Sequence, residues 1–156
     1  MRKIIVRGPA LSRSGYGEHT RFLLRSLKSR EELFDIYILN LNWGQTGWNF
    51  EDNEERRWID SLMKKTEKYV NESEGNPYFD ISAQVTIPNE WDKMAAVNIG
   101  VTAGIETTKV SPQWVEKSMV VDRIITISEH SKQVYENTSY QAQNGETGEV
   151  IEDFRC

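Results

Sequence analysis

Apolar residues in this chain fall into short unbroken runs separated by longer stretches with helical spacing. Lys3-Ile4-Ile5-Val6-Arg7, Asp35-Ile36-Tyr37-Ile38-Leu39-Asn40-Leu41 and Arg123-Ile124-Ile125-Thr126-Ile127 are short and β-rich, as strands buried on both faces are. Phe79 to Ile87 alternates and predicts a third strand in chain order. Val97-Asn98-Ile99-Gly100-Val101-Thr102 predicts a fourth, and it passes directly into the small and polar Ala103-Gly104-Ile105-Glu106-Thr107. Between these runs the spacing predicts helices. One covers about 17–29, with Thr20, Phe22, Leu23 and Leu27 inward. Another covers about 54–72, with Trp58, Ile59, Leu62, Met63, Tyr69 and Val70 inward and acids in its first turn. Ser111-Pro112 is a start signal for a third, with Trp114, Val115 and Met119 inward. Ser128-Glu129-His130-Ser131 leads into a fourth, with Val134 and Tyr135 inward.

Strands alternating with helices predict the α/β class: a doubly wound, mainly parallel sheet of five to six strands with helices on both faces, Rossmann-like. Residues 1–139 form that domain. Residues 140–148 read as a polar, Gly-containing loop, and Val150-Ile151 as the start of a sixth strand cut short, so a further domain is expected to follow 140–156.

Composition narrows the function. A chain of 156 residues with 38% hydrophobic content, five Trp, six Tyr and five Phe has the material for a packed core. The net charge of −5, with acids and bases interspersed, argues against nucleic acid as a partner and gives no indication of membrane contact. One cysteine, Cys156, excludes an internal disulfide and fits a reducing, cytoplasmic setting. The apolar run after Met1-Arg2-Lys3 ends at Arg7, too soon for a signal peptide, and no run reaches the ~20 residues of a membrane span.

In a parallel sheet the loops after the strands share one edge, where open α/β folds bind ligands. That edge collects 12–18, 42–48, 88–91, 102–108 and 128–131, rich in hydroxyls, amides, acids and tryptophan, a composition suited to a polyhydroxylated ligand. Gly15-Tyr16-Gly17 lacks the dinucleotide fingerprint, because Thr20 stands at the third glycine and the second strand ends in Asn40 rather than an acid. No GxxxxGK[ST] run is present, which removes a P-loop. A helix start behind glycines still offers backbone N–H groups to a phosphate. His19 and His130 have no His or Cys at metal-ligand spacing, so no metal is expected.

Four stretches then carry a resemblance: Ser14-Gly15-Tyr16-Gly17, Ile87-Pro88-Asn89-Glu90-Trp91, Asn98 to Thr107, and Ile125-Thr126-Ile127-Ser128-Glu129-His130-Ser131-Lys132. In order and spacing they resemble the amino-terminal domain of GT-B-fold glycosyltransferases of the glycosyl transferases group 1 type, to about Thr138. The resemblance implies a retaining, metal-free transferase that moves a sugar from a nucleotide-sugar to a sugar or glycan acceptor. In such enzymes the acceptor lies mainly on this half and the donor mainly on a second Rossmann-like domain. Carried onto this chain, it implies catalytic roles for Glu106 and His130. It also implies substrate- or donor-binding roles for Gly15, Tyr16, Gly17, Glu90, Thr102, Thr107 and Ser128. The basic and acidic nucleotide-binding residues of the second domain are not in this sequence, so the chain alone is expected to be inactive. The alternative is a non-catalytic sugar- or nucleotide-binding module of the same fold.

Overall fold

The computed structural model describes residues 1–104, 107–143, 147 and 150–155. Strand β1 (Arg2–Gly8) is followed by helix α1 (Gly15–Lys28), strand β2 (Phe34–Asn40) and helix α2 (Glu54–Glu72). Then come β3 (Ile81–Val85), a 3₁₀ turn (Pro88–Glu90), β4 (Val97–Thr102), α3 (Pro112–Ser118), β5 (Arg123–Thr126) and α4 (Glu129–Asn137). The five strands form one sheet in the order β2-β1-β3-β4-β5, every neighbouring pair parallel. This is the doubly wound α/β arrangement that the sequence predicts.

Each helix begins where a side chain satisfies an orphan N–H. Ser14, Asn53, Ser111 and Ser128 are the N-caps, and Pro112 follows its cap at the position where a missing N–H does no harm. Register then sorts the strand residues. Ile4 and Val6 lie beside Ile36 and Ile38 on one side and Ile81 and Ala83 on the other. Leu24 and Leu27 of α1 and Ile59 and Leu62 of α2 cover that face. Ile5 and Tyr37 face the opposite way, against Phe79, Tyr69 and Met94. A third cluster joins Val110, Val115, Val134 and Tyr135 to Ile124 of β5.

On the second face the connection 86–96 lies against β3 and β4, pinned by buried amides. Gln84 accepts from the Asp92 N–H at 3.0 Å and donates to the Asp92 carbonyl. Asn98 Oδ1 accepts from Ser82 Oγ and from the N–H groups of Met94 and Ala95, at 2.8–3.0 Å. Trp91 is fully buried here, and its indole lies so close to Gly100 that a Cβ on that glycine would sit 2.6 Å from the ring.

Helix α2 does more than cover a face. It crosses the outer edge of β2: Thr66 Oγ1 accepts the Ile38 N–H at 2.9 Å, and Lys65 Nζ donates to the Ile36 carbonyl at 2.9 Å. Lys65 also holds the Asp35 carboxylate, which accepts from the Tyr37 hydroxyl as well. Burial works to raise the Asp35 pKa, but these two donors outweigh it and hold the group below the ordinary carboxylate range. Burial and the same carboxylate push Tyr37 up to about 12.

Four expectations need correction. Phe22 is 57% exposed, because the buried stripe of α1 is Gly17, Thr20, Arg21, Leu24 and Leu27, and Phe22 lies opposite it. Met119 is 58% exposed because α3 ends at Ser118 and the chain turns there. The stretch expected as loop begins as a strand, β6 (Ser139–Gln143), which pairs antiparallel with β7 (Val150–Arg155). Val150 and Ile151 therefore belong to a separate two-stranded ribbon rather than to a sixth strand of the main sheet, and Tyr140 anchors that ribbon by donating to the Val110 carbonyl at 2.6 Å.

Replacing Thr66 by Val removes the acceptor of a buried strand N–H while keeping the volume. The expected loss is about 1–3 kcal/mol in urea unfolding, whereas Thr66→Ser retains most of the stability. Gly100→Ala should lose about 1–3 kcal/mol or more by driving a methyl into the Trp91 ring.

Candidate functional site

The strand order reverses direction between β1 and β3, so the crevice for a ligand lies at the carboxyl ends of the central strands. The loop from β1 to α1 is folded tightly there. Arg21, almost buried, reaches back from α1 and donates through Nη1 to the carbonyls of Ala10 and Ser12, at 2.6 and 3.0 Å. Gly17 meets the same loop from the other side: a Cβ would lie 2.1 Å from the Ser12 carbonyl oxygen, so the turn closes only over a glycine. Gly15 is different, exposed and with open space around its missing Cβ.

The β2-to-α2 loop is tied onto this turn. Leu11 donates its N–H to Asn40 Oδ1 at 3.1 Å, which is what an amide at the end of β2 does here. Arg13 donates to the Gly47 carbonyl and Asn49 to the Leu11 carbonyl, at 2.8 and 2.7 Å. Ser12 Oγ lies 2.9 Å from Ser14 Oγ and 2.6 Å from Thr46 Oγ1.

Tyr16 joins a third loop to these two. Its ring packs on Trp43 with centroids 4.7 Å apart at 40°. Its hydroxyl is 3.1 Å from Thr102 Oγ1, at the end of β4, and within 3.4 Å of the Ala103 N–H. Thr102 is fully buried and its Oγ1 also lies 3.3 Å from the Gly104 N–H. Gly104, at φ 81°, sits against Ser131, so the β4 loop continues onto the start of α4. Beside Tyr16 lies a pocket of about 200 Å³ lined by Ser12, Asn42, Trp43, Thr46 and Trp48 among others. Trp48 is 40% exposed. Hydroxyls, an amide and two indole faces converge there.

A wider hollow of about 630 Å³ opens at the start of α1, lined by Arg13, Arg21 and Arg25 and by Glu18, Glu51 and Glu55. Two of these arginines are taken by carboxylates. Arg21 binds Glu18, and Arg25 binds Glu18 and Glu55. The hydrogen bond from Arg21 is the chief cause holding Glu18 below the ordinary carboxylate range, and the one that Arg25 donates to Glu55 drives Arg25 well above the usual guanidinium range. Burial lowers the His19 pKa, favouring the neutral imidazole.

The expected site residues therefore fall into groups. Tyr16 and Thr102 meet, and Gly15 lies open at the helix start beside them. Gly17 is a packing position. Ser128 caps α4 by accepting the Ser131 N–H at 3.1 Å, so its hydroxyl serves the helix. Thr107 bonds within its own turn, to the Lys109 carbonyl at 2.7 Å. Glu90 contributes a carbonyl, which accepts from Arg7 at 2.7 Å, while its side chain is exposed. His130 is exposed in the first turn of α4. Glu106 lies outside the described residues. Trp91, expected at the rim, is buried on Gly100 and offers no face to a ligand. Among the described residues no group of three His, Cys, Asp or Glu is placed to hold a metal, and no helix is long and apolar enough to cross a membrane. Sequence reasoning missed Arg21, although its place four residues after Gly17, on the same stripe as Leu24, marks it as inward.

Comparison with protein families, with curated proteins and with solved structures returns no match.

Gly17→Ala should lower the melting temperature by several degrees, while Gly15→Ala leaves it unchanged or slightly raised, the helix start gaining a better helix former. Because the folded pKa of Glu18 is depressed, its contribution is present above the unfolded value of about 4.3 and is lost as pH falls below it. Urea midpoints at pH 7 and pH 3 should therefore differ less in Glu18→Gln than in the parent chain.

Proposed function

We propose that the rim around Tyr16, Trp43 and Thr102 binds a sugar ring, and that the chain is the acceptor-side domain of a retaining glycosyltransferase. One observation carries the reading. Tyr16 is packed on Trp43 and bonded to Thr102, which joins three rim loops, two of which line a pocket of hydroxyls and indole faces. A sugar presents an apolar face to an aromatic ring and hydroxyls to donors and acceptors at its margin, and both are in place. The stretches behind the glycosyltransferase resemblance begin or end on this same edge of the sheet, which supports the narrower reading.

The chemistry this half supplies is positioning. Hydroxyls of Ser12 and Thr46 and the Asn42 amide orient the acceptor, and the contacts of Tyr16 with Trp43 and with the buried Thr102 keep the loops in register with one another. Holding the acceptor hydroxyl in place converts encounter into an oriented reaction. Charge on the departing diphosphate needs cations or aligned dipoles. On this side of the cleft those are Arg13 and the open N-terminal end of α1 at Gly15, and the second domain is to supply the rest.

Titration of the ¹⁵N-labelled chain with free hexoses and with nucleotide-sugars tests this. The expected result is saturable movement of the Trp43 and Trp48 indole signals with at least one sugar, lost in Trp43→Ala while the fold persists. Absence of saturable shifts across both panels, or shifts that survive Trp43→Ala, would rule the site out. The 156-residue chain alone should show no measurable sugar transfer, and robust turnover would contradict the division of labour between two domains.

A further inference from the structure

Ser12 and Thr46 stand on different loops, yet their hydroxyl protons belong to one set of bonds. Ser12 Oγ has one proton and two partners, Ser14 Oγ at 2.9 Å and Thr46 Oγ1 at 2.6 Å. Thr46 Oγ1 also has one proton, and it lies 2.6 Å from the Trp43 carbonyl oxygen, which can only accept. Whichever way the Ser12 proton turns, both protons are used inside this set. A ligand that drew on either would first have to break a bond that holds the loops. Thr46 Oγ1 takes at most the Ser12 proton, so at least one of its two lone pairs stays open.

The backbone fixes these oxygens in place. Ser12 bridges Trp48 as an antiparallel pair, and the Arg13 N–H donates to the Gly47 carbonyl at 2.8 Å. The Thr46 N–H closes a turn onto the same Trp43 carbonyl at 3.2 Å, with Gly44 inside it at φ 52°. The pocket at this turn measures about 200 Å³, below the roughly 300–1,000 Å³ that encloses a drug-sized ligand. No acidic or basic side chain lines it. Arg13 lies instead in the wider hollow at the start of α1.

We infer that this pocket takes one uncharged monosaccharide ring and reads it as a hydrogen-bond donor, with Thr46 Oγ1 accepting from a ring hydroxyl. The inference rests on the sugar-binding reading above and narrows it to a class of ligand. A sugar hydroxyl turns its proton toward the open lone pair, whereas a carboxylate oxygen would set one lone pair against another. The volume admits a single ring, which makes the occupant an acceptor sugar and leaves the nucleotide of a donor outside.

Deoxyfluoro sugars separate the two roles, because a C–F group in place of C–OH never donates. The 156-residue chain is titrated with D-glucose, D-galactose and D-mannose, and with the 2-, 3-, 4- and 6-deoxyfluoro analogue of each, following the Trp43 and Trp48 indole signals. At least one hexose should saturate these signals, and fluorine at one or more of its positions should weaken binding at least about tenfold. Thr46→Val should lose that selectivity, or the hexose altogether, while Thr46→Ser keeps both. If no fluoro analogue loses as much as about tenfold against its parent hexose, the inference is overturned and the sugar site stands. A Thr46→Val chain with unchanged selectivity overturns it too, as does a Thr46→Ser chain that loses as much as Thr46→Val. Failure of all three hexoses to saturate the signals also overturns it, and with it the sugar reading if nucleotide-sugars fail as well.

Discussion

The N–H of Ile38 points away from the sheet, and without Thr66 it would have no partner under the helix that covers it. A buried strand group left unpaired is a large penalty on the scale of a domain's net stability. That requirement fixes how α2 lies. The helix places Ile59 and Leu62 on one face of the sheet, brings Lys65 and Thr66 across the edge, and delivers Tyr69 to the other face. A helix confined to one face could not do all three. At the opposite margin β5 is the last strand of the sheet among the described residues.

The rim is organised by the same economy of backbone groups. Arg21 draws two loop carbonyls inward, and Gly17 admits them at a distance no side chain would allow. The amides of Leu11, Arg13 and Asn49 are then taken by Asn40 and by neighbouring loop carbonyls. What is left for a ligand is a set of side-chain hydroxyls and two indoles, with little free charge. A surface of that kind favours neutral, hydroxylated molecules over anions.

Much of the architecture is legible in the sequence because parallel strands buried on both faces leave unbroken apolar runs, as at Ile4-Ile5-Val6 and Ile36 to Leu39. Helix starts are legible from Ser111-Pro112 and from the acids after Asn53. What periodicity hides is which of two near-equal stripes turns inward: Phe22 lost to Thr20 and Leu24 because a small residue is needed where α1 passes over Gly8. The ribbon was hidden because Ser139 to Gln143 is too polar to show a buried face. At the site, Tyr16 and Thr102 could be placed at one edge, but their contact depends on loop lengths that no pattern encodes. Ser128 and Gly17 look functional in sequence because caps and tight turns use the residue types that ligand sites use.

The clasp of α2 on β2 also bears on how the chain assembles. Strand β3 pairs with β1 only after everything between β2 and β3 has been brought round, and the entropy lost in closing a loop grows with its length. Docking Thr66 on Ile38 divides that closure into two shorter ones, the second needing only the stretch from Glu67 to Asp80 to find its place. A contact that reads in the finished structure as a cap on an edge also shortens, once formed, the chain that must close before β3 pairs with β1.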